Sequence, residues 1–445
     1  MTPGSAVEHL TITATARGYR AGALSPVEVT AACLDRIAER DAEIGAFATV
    51  TADRARARAH AATAELAGDP EQRRPLLGIP MGVKDIVDVA GVVTGAGCAA
   101  LVGNVAARHA TVWRRLEDAG AVLIGKTATH ELAYGVATPA TRNPVDPGRM
   151  PGGSSGGSAA ALVAGMCVAA VGTDTAGSIR IPAALCGVVG LKPTRRLCPT
   201  DGILPLAPTL DHAGPMARTP EDAALLLAAM ARTSPPTAAV DPAVLRVGLA
   251  TEGALWTDDV RRAFTATADA LDRAGAAVVA VDVPSFADAV RHADRIIGVE
   301  AGAVHADLLT GAADALTPAT RAKLRSAGRI DRRTYERALR HAADVRRGYE
   351  AALAGVDVLL APGVATTAPP YGVEQVTIGD RDLWLGRALC WNSAALNLAG
   401  LPAVALPAGV GDDGLPVGIQ LIGAAGEDHR LLAIADAVTM VPGAL

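Results

Sequence analysis

The 445-residue sequence contains few aromatic side chains and very little lysine. Phenylalanine, tryptophan and tyrosine together make up 3% of the chain, and four of the 41 basic residues are lysine: Lys84, Lys126, Lys192 and Lys323. Half of the residues are hydrophobic and the net charge is −5, which excludes an intrinsically disordered chain. Acidic residues outnumber basic ones, so the net charge gives no support for a nucleic-acid partner.

Long hydrophobic runs are also missing. The longest weakly polar run, residues 158–172, contains Gly165 and many alanines, which favours a buried helix over a membrane span. Residues 1–10 lack the basic and hydrophobic regions of a secretory signal, so we expect a cytoplasmic protein without membrane contact. The six cysteines include no C-x-x-C pair, which indicates neither a zinc site nor a disulfide framework.

The N-terminal part, residues 1–70, is predicted to be helical. Ser25 is a candidate N-cap that is followed by proline, and Glu28 completes a capping box, so a helix should cover residues 25–41. A second helix is predicted over residues 51–67. We expect this part to act as scaffold or as an oligomer contact.

From residue 76 onward, short apolar runs alternate with helical patterns, as in an α/β protein whose sheet is covered on both faces. Helices are predicted at 111–119 and 258–274, and strands within 76–85 and at 121–126, 245–250, 277–283, 356–362, 403–407 and 417–422. The Asp412-Asp413-Gly414 turn predicts a hairpin between the last two strands, so the sheet should be mixed. No long linker interrupts the chain, which favours one domain over residues 1–445.

The segment 313–350 is rich in arginine, with nine arginines from Arg321 to Arg347. Acidic residues such as Asp331 and Glu336 are interleaved with them. A basic helix of this kind can face a nucleic acid or a membrane, but the mixed charges favour a solvated helical hairpin.

Two glycine- and serine-rich segments, residues 151–158 and 171–180, surround a predicted helix and can place two serines at one end of neighbouring elements. A serine hydroxyl needs a base to attack a carbonyl group, and the base is usually histidine or lysine. No histidine lies in a recognisable catalytic motif. Lys84 ends a buried apolar run, where burial lowers the pKa of the amine from about 10.4. The alternative for Lys84 is an ion pair with Asp85 or another acid.

Four segments then coincide in order and spacing with one known pattern. They are Gly82-Val83-Lys84-Asp85, the Pro151–Ser158 segment, the Gly172–Pro182 segment and the Cys186–Thr194 segment. Together they resemble the amidase signature family, with a dense match over residues 78–216 and a weaker one toward both ends. The resemblance implies a single α/β domain with three α/β/α layers around a mixed sheet of about eleven strands.

The resemblance also implies a catalytic triad. Ser178 would be the nucleophile, and Ser154, on a cis peptide bond, would pass its proton to Lys84. The oxyanion hole would use the backbone N–H groups of Thr175, Ala176, Gly177 and Ser178. Ser155, Asp174 and Arg180 would support this turn. Neither a metal nor an organic cofactor is implied.

Two positions depart from the family pattern. Ala176 stands where glycine is more common, so its Cβ would restrict the backbone or narrow the acyl site. Arg195 and Arg196 follow Lys192-Pro193-Thr194 where smaller residues are common. A structural ion pair and a contact to a polar or anionic substrate are both open for these arginines. We expect substrate contacts from Tyr134, Gly153, Arg195 and Trp391.

The resemblance leaves three classes of function. The first is a hydrolase that cleaves C–N bonds of small-molecule amides through a Ser178 acyl-enzyme, with possible activity on carbamates, urethanes and esters. The second is the A-type subunit of a glutamyl-tRNA(Gln) amidotransferase, which would need partner subunits. The third is a binding protein without catalysis, which intact Lys84, Ser154 and Ser178 oppose. We favour the first, acting as a monomer or homodimer on a small molecule.

Overall fold

The computed structural model describes residues 9–68, 74–234 and 239–445. The signal-sequence expectation rests mostly on residues 1–8, which lie outside the described residues. The α-helices are α1 Ile12–Arg20, α2 Pro26–Ile44, α3 Ala52–Gly68, α4 Thr111–Asp118, α5 Gly156–Val163, α6 Arg180–Cys186, α7 Pro220–Ala231, α8 Asp258–Arg273, α9 Phe286–Val304, α10 Ala306–Gly311, α11 Pro318–Ser326, α12 Arg332–Leu353, α13 Leu385–Cys390, α14 Ala394–Ala399 and α15 Asp428–Thr439. The strands are β1 Phe47–Val50, β2 Pro80–Lys84, β3 Val122–Thr127, β4 Ala169–Asp174, β5 Val189–Lys192, β6 His212–Ala217, β7 Arg246–Leu249, β8 Ala277–Ala280, β9 Val358–Pro362, β10 Gln375–Ile378, β11 Arg381–Trp384, β12 Ala403–Val410 and β13 Pro416–Ile422.

The predicted capping box opens helix α2. Ser25 Oγ accepts the N–H of Glu28 at 3.2 Å and donates to Glu28 Oε2 at 2.8 Å. The helix continues to Ile44, three residues past its predicted end, and closes at Gly45, which adopts a left-handed conformation with φ of 65°. Helix α3 covers the second predicted helix, so the two predicted N-terminal helices are confirmed as α2 and α3.

Eleven of the strands in the described part of the chain form one mixed sheet, as predicted. Its order is β1-β3-β2-β4-β6-β5-β12-β13-β9-β7-β8. Strand β2 is parallel to β3 and β4, and β7 is parallel to β8 and β9, whereas the other neighbours are antiparallel. Strands β12 and β13 form the expected hairpin. Strands β10 and β11 form a separate two-stranded sheet.

The two faces of the sheet belong to two different hydrophobic clusters. Along β4, Ala169 and Val171 pack with helices α4 and α7, whereas Ala170 packs with helices α2, α5 and α6. This alternation follows from the two-residue period of a strand. Because helices cover both faces, the predicted α/β/α layering is confirmed.

The run 158–172 is not one helix, contrary to our prediction. Helix α5 ends at Val163, and Gly165 has a φ of 72°, after which β4 begins at Ala169. A run of small apolar residues fits a buried helix and a buried strand equally well, so its periodicity could not divide it.

The arginine-rich segment 313–350 is helical and contains two α-helices, α11 and α12, as a helical hairpin requires. On α12, Arg332 pairs with Glu336 and Arg346 pairs with Glu350. These exposed pairs match the predicted solvated face. Among the described helices, none is both long and apolar enough to span a bilayer.

Candidate active site

Lys84 and the glycine- and serine-rich turns meet at one edge of the sheet. Lys84 is the last residue of β2 and Asp174 is the last residue of β4, and these two strands are parallel neighbours. Their carboxyl ends therefore lie side by side. Ser178 follows β4 in the turn before α6, and Ser154 lies in the loop before α5.

The Lys84 amine is fully buried and faces two hydroxyl groups. Its Nζ lies 2.7 Å from Ser154 Oγ and 2.8 Å from Thr173 Oγ1. Burial lowers the pKa of Lys84 to about 7, although the charges of Asp174 and Asp211 act in the opposite direction. A large share of this amine is thus neutral near pH 7, and a neutral amine can accept a proton from a hydroxyl.

Ser154 is held by its backbone as well as by Lys84. The Gly153–Ser154 peptide bond is cis. The Ser154 carbonyl oxygen accepts the N–H of His130 and the hydroxyl of Thr138, both at 3.3 Å. A Cβ on Gly153 would lie 2.7 Å from Thr138 Oγ1 and 2.9 Å from the Val136 backbone. Gly153 therefore packs closely against this loop, and its predicted substrate contact remains a prediction.

Ser155 joins the two serine-rich turns. Its Oγ donates to the Thr173 carbonyl and accepts the Thr173 N–H, both at 3.2 Å. Its own N–H donates to the Ser178 carbonyl at 3.2 Å. These are the contacts that the predicted supporting role requires.

Asp174 organises the turn that carries Ser178. Its carboxylate accepts the N–H groups of Gly177 at 2.7 Å and Ile179 at 3.2 Å, and it pairs with Arg180 at 3.1 Å. Burial alone would raise the pKa of Asp174, but the ion pair with Arg180, the charge of Lys192 and the hydrogen bond from Asn397 hold it well below its usual value. Arg180 also donates to Gln420 Oε1 at 3.0 Å and to Asn397 Oδ1 at 2.7 Å.

The predicted oxyanion hole needs one correction. The Gly177 N–H is already bound to Asp174, so it does not point to an open acceptor position. Within residues 9–68, 74–234 and 239–445, the N–H groups of Thr175, Ala176 and Ser178 donate to no acceptor. Ala176 has no positive φ, so the alanine causes no backbone strain there, and its carbonyl accepts Ser393 Oγ at 2.6 Å.

A cavity of about 70 Å³ lies beside the Lys84–Thr173 contact. Its apolar lining comes largely from side chains of the loop 203–208, together with Ile86 and Ala133. Thr175 also lines it, and its Oγ1 donates to Asp211 Oδ1 at 2.6 Å. The cavity therefore joins the turn after β4 to the variable loop before β6.

Two predicted substrate contacts, Arg195 and Trp391, are engaged within the protein, and their contact with a substrate remains a prediction. The Arg195 guanidinium donates to the carbonyl of Leu398 at 2.8 Å and to that of Asn397, so it caps the end of helix α14. No ion pair of the described residues includes Arg195, so the ion-pair alternative fails for it, whereas a substrate contact stays untested. Trp391 is 8% exposed in the main core, and its Nε1 donates to Gly253 O at 2.8 Å.

Tyr134 lies near the site but is engaged by a lysine. Its carbonyl oxygen accepts Lys323 Nζ at 2.9 Å, and the same Nζ lies 5.1 Å from the ring centroid. Burial raises the pKa of the Tyr134 hydroxyl to about 12. A substrate contact from Tyr134 remains a prediction.

Sequence reasoning missed several polar residues of the site. Thr173, Asn397 and Gln420 supply buried hydrogen bonds to Lys84, Asp174 or Arg180. A signal existed for Gln420, because it is a polar residue in an otherwise apolar buried strand. The described residues contain no cluster of three or more metal-ligating side chains.

The buried lysine, the two serine-rich turns and the eleven-stranded mixed sheet define the class of amidase signature proteins. The chain belongs to this family, because the family model described as Amidase matches residues 28–432. An amidase of Pseudomonas putida is 38% identical, with 92% of this chain and 91% of that protein covered. The A-type subunit of the glutamyl-tRNA(Gln) amidotransferase of Roseiflexus sp. (strain RS-1) is 37% identical, with 98% and 97% covered. A solved structure described as a crystal structure of amidase superposes with a TM-score of 0.90 at 35% identity, with 97% and 99% covered.

Proposed function

We propose that this member of the amidase signature family hydrolyses the C–N bond of small-molecule amides through a Ser178 acyl-enzyme. The observation that carries the proposal is the 2.7 Å contact between Lys84 Nζ and Ser154 Oγ in a site that lowers the pKa of Lys84 to about 7. A base whose pKa is close to the working pH is present in large part in its neutral form, and it still binds a proton strongly enough to take one from a hydroxyl.

In the proposed reaction, Ser178 Oγ attacks the amide carbonyl carbon while its proton passes to Ser154 Oγ, whose own proton passes to Lys84 Nζ. The tetrahedral oxyanion is stabilised by the free N–H groups of Thr175, Ala176 and Ser178. The C–N bond then breaks, and the relay returns a proton to the leaving amine. Water attacks the ester by the same route and releases a carboxylic acid and Ser178.

A hydrolysis panel tests this proposal. Anilides, primary amides, ureas, carbamates and esters are incubated with the wild type and with Ser178→Ala, and the released amine or alcohol is measured. We expect turnover of at least one amide by the wild type, and loss of that turnover in Ser178→Ala with an unchanged folded state. Turnover by Ser178→Ala at the wild-type rate would contradict the mechanism.

The panel also defines the range of the reaction. Carbamate and ester cleavage use the same acyl-transfer chemistry, so urethanase and esterase activities belong to the proposal.

All six cysteines are free thiols, which supports a reducing cytoplasmic location.

A second candidate is the A-type subunit of a glutamyl-tRNA(Gln) amidotransferase. It is supported by the 37% identity to the Roseiflexus protein over nearly both whole chains. Expression of the chain alone separates the two candidates. Amide hydrolysis by the isolated chain supports the free-standing enzyme, whereas activity that requires glutamine and co-purified subunits supports the amidotransferase.

A further inference from the structure

A buried glutamate holds the loop before β6 to the helices α9–α12, which we call the roof helices (residues 286–353). Glu300 of α9 accepts the Thr209 N–H at 3.0 Å through Oε2 and the Thr209 hydroxyl at 2.6 Å through Oε1. The same Oε1 accepts the Tyr335 hydroxyl of α12 at 2.9 Å. One carboxylate thus fixes the loop to two roof helices.

A second glutamate makes the same kind of contact on the other side of the cavity. Glu131 accepts the Thr317 N–H at 3.1 and 3.2 Å and also accepts the Thr317 hydroxyl. Thr317 is the N-cap of roof helix α11. Lys323, from the same helix, reinforces the contact by donating to the Tyr134 carbonyl at 2.9 Å.

Both contacts lie close in sequence to the residues of the proposed reaction. Thr209 is two residues from Asp211, which accepts the Thr175 hydroxyl. Glu131 follows His130, whose N–H donates to the Ser154 carbonyl. The loop 203–208 and Ala133 line the cavity. The roof helices are therefore bonded to both sides of the cavity next to the serines.

Neither carboxylate forms an ion pair within the described part of the chain, although both are buried. Glu131 is 6% exposed and Glu300 is 9% exposed. Lys323 is near enough to Glu131, and Arg195 near enough to Glu300, for their charges to interact, but neither makes a contact ion pair. Each buried carboxylate therefore depends on its hydrogen-bond donors. Each of these two obtains a backbone N–H and a hydroxyl from a single threonine, an arrangement that tolerates little displacement.

We propose that Glu131 and Glu300 are positioning residues that tie the loops next to the cavity to the roof helices and thereby determine substrate affinity and acyl-chain selectivity. This inference rests on the proposed function. Both glutamates act through the loops, so they contribute mainly to KM, whereas the proton relay at Lys84 determines kcat and its pH dependence.

The test compares Glu131→Gln and Glu300→Gln with the wild type on anilides of increasing acyl length. Loss of a charge-assisted hydrogen bond corresponds to about a ten- to hundredfold rise in KM. We expect that rise for the shortest acyl chain, a smaller rise for longer chains, and kcat within about threefold of wild type. The pH limb near 7 should stay in place, because the charges that act directly on Lys84 are those of Asp174 and Asp211, which neither variant replaces. Glu350→Gln, which removes an exposed pair with Arg346 on α12, is the matched control and should leave KM unchanged.

A second pair of variants covers the case in which a glutamine variant unfolds. Thr209→Val removes only the hydroxyl donor to Glu300, whereas Thr209→Ser keeps it. We expect the valine variant to raise KM and the serine variant to restore it. Equal KM values for Thr209→Val, Thr209→Ser and the wild type would overturn the proposal.

A turnover-independent measurement separates this inference from the proposed function. Phenylmethylsulfonyl fluoride forms a sulfonate ester with an activated serine and releases fluoride, and its concentration dependence reports affinity at Ser178. A wild type that is neither labelled at Ser178 nor active on any amide contradicts the proposed function. Labelling with identical concentration dependence in the wild type and in both glutamine variants contradicts only the positioning role.

Discussion

The carboxylate of Asp85 pairs with Lys126, not with the adjacent Lys84. Lys126 Nζ lies 3.0 Å from Asp85 Oδ1, and it also donates to Val93 O and Thr94 Oγ1 at 3.1 Å. The partners of Lys84 among the described residues are hydroxyl groups. Two buried lysines on neighbouring strands thus have different chemistry: one is half of an ion pair, and the other can lose its proton near neutral pH.

The first prediction concerns Lys84→Arg. Arginine keeps a positive charge but does not release its proton in proteins, so it cannot accept the proton of Ser154. Loss of general-base catalysis typically costs about 10²–10⁴ in rate, and we expect kcat/KM on a cleaved anilide to fall by about 10³ or more.

Lys126→Arg is the matched control for this variant. The pair with Asp85 needs only a cation, so we expect kcat/KM within about fivefold of wild type, with a stability loss of about 1–3 kcal/mol from the larger buried side chain. Wild-type activity in Lys84→Arg would exclude Lys84 as the base.

The second prediction concerns the pH profile. Because the neutral amine is the active form, kcat/KM should rise as the pH increases through about 7, the pKa of Lys84. Thr173 Oγ1 accepts a hydrogen bond from Lys84 Nζ and so favours the charged amine. Thr173→Val should move the limb to lower pH and reduce the plateau about tenfold, whereas Thr173→Ser should stay close to wild type. A limb at the same pH in Thr173→Val would show that this contact does not affect the base.

Local patterns in the sequence predicted the fold well where the determining contacts are short in range. The capping box of Ser25 and Glu28 and the hairpin turn at residues 412–414 each depend on neighbours within a few residues, and both are confirmed. The small apolar residues 158–172 lacked such a signal, so the end of α5 and the start of β4 were missed.

The sequence predicted only those residues of the candidate site that lie in recognisable motifs. The segments around Lys84, Ser154 and Ser178 could be identified, but the partners that come from distant strands and helices could not. Arg195 is an example: its acceptors, the carbonyls of Asn397 and Leu398, are about 200 residues away in the chain. A backbone carbonyl at the end of a helix carries no side-chain signal, so only the packed structure reveals this contact.

The third prediction links Lys84 to stability. An unfolded lysine has a pKa of about 10.4, and the folded value is about 7. Between these values the unfolded chain binds more protons, so the folded state loses stability as the pH falls from 10 to 7 and no further below 7. The cost at pH 7 is on the order of 4 kcal/mol.

Lys84→Met lacks this titration. We compare the unfolding temperature of Lys84→Met with that of the wild type. This difference should be more favourable to the variant at pH 7 than at pH 10, although at both pH values the methionine leaves Ser154 and Thr173 without their amine donor. Thermal unfolding of both proteins at the two pH values measures the difference. A constant difference across this range would mean that Lys84 is not neutral in the folded protein.

The fourth prediction concerns Asp174→Asn. The asparagine keeps the size but loses the charge that pairs with buried Arg180, which leaves that cation poorly compensated. Breaking a buried ion pair costs about 3–5 kcal/mol. We expect this loss in the free energy of unfolding, together with a fall in kcat of at least about 10², because the turn of Gly177 and Ser178 is no longer fixed.

Asp222→Asn provides the comparison. Asp222, in the first turn of helix α7, is also buried, but it accepts the N–H groups of Ile12 and Thr13 of helix α1 and lies away from the nucleophile turn. The Asp222→Asn variant should therefore lose stability but keep kcat within about threefold of wild type. If both variants lose kcat equally at temperatures where each is folded, the effect of Asp174 is general and not specific to the nucleophile turn.

The last prediction separates Ser155 from Ser154. Ser155 Oγ bonds the backbone of Thr173, so Ser155→Ala should cost about 1 kcal/mol of stability and about tenfold or less in kcat/KM. Ser154 Oγ contacts the Lys84 amine, so Ser154→Ala interrupts the relay and should lower kcat/KM by about 10³ or more with a smaller loss of stability. Steady-state kinetics and urea unfolding of both variants give the two quantities. Ser155→Ala should be the more active and the less stable of the two variants, because Ser155 supports the turn while Ser154 moves the proton. Equal losses of activity in both variants would assign Ser155 to the reaction itself.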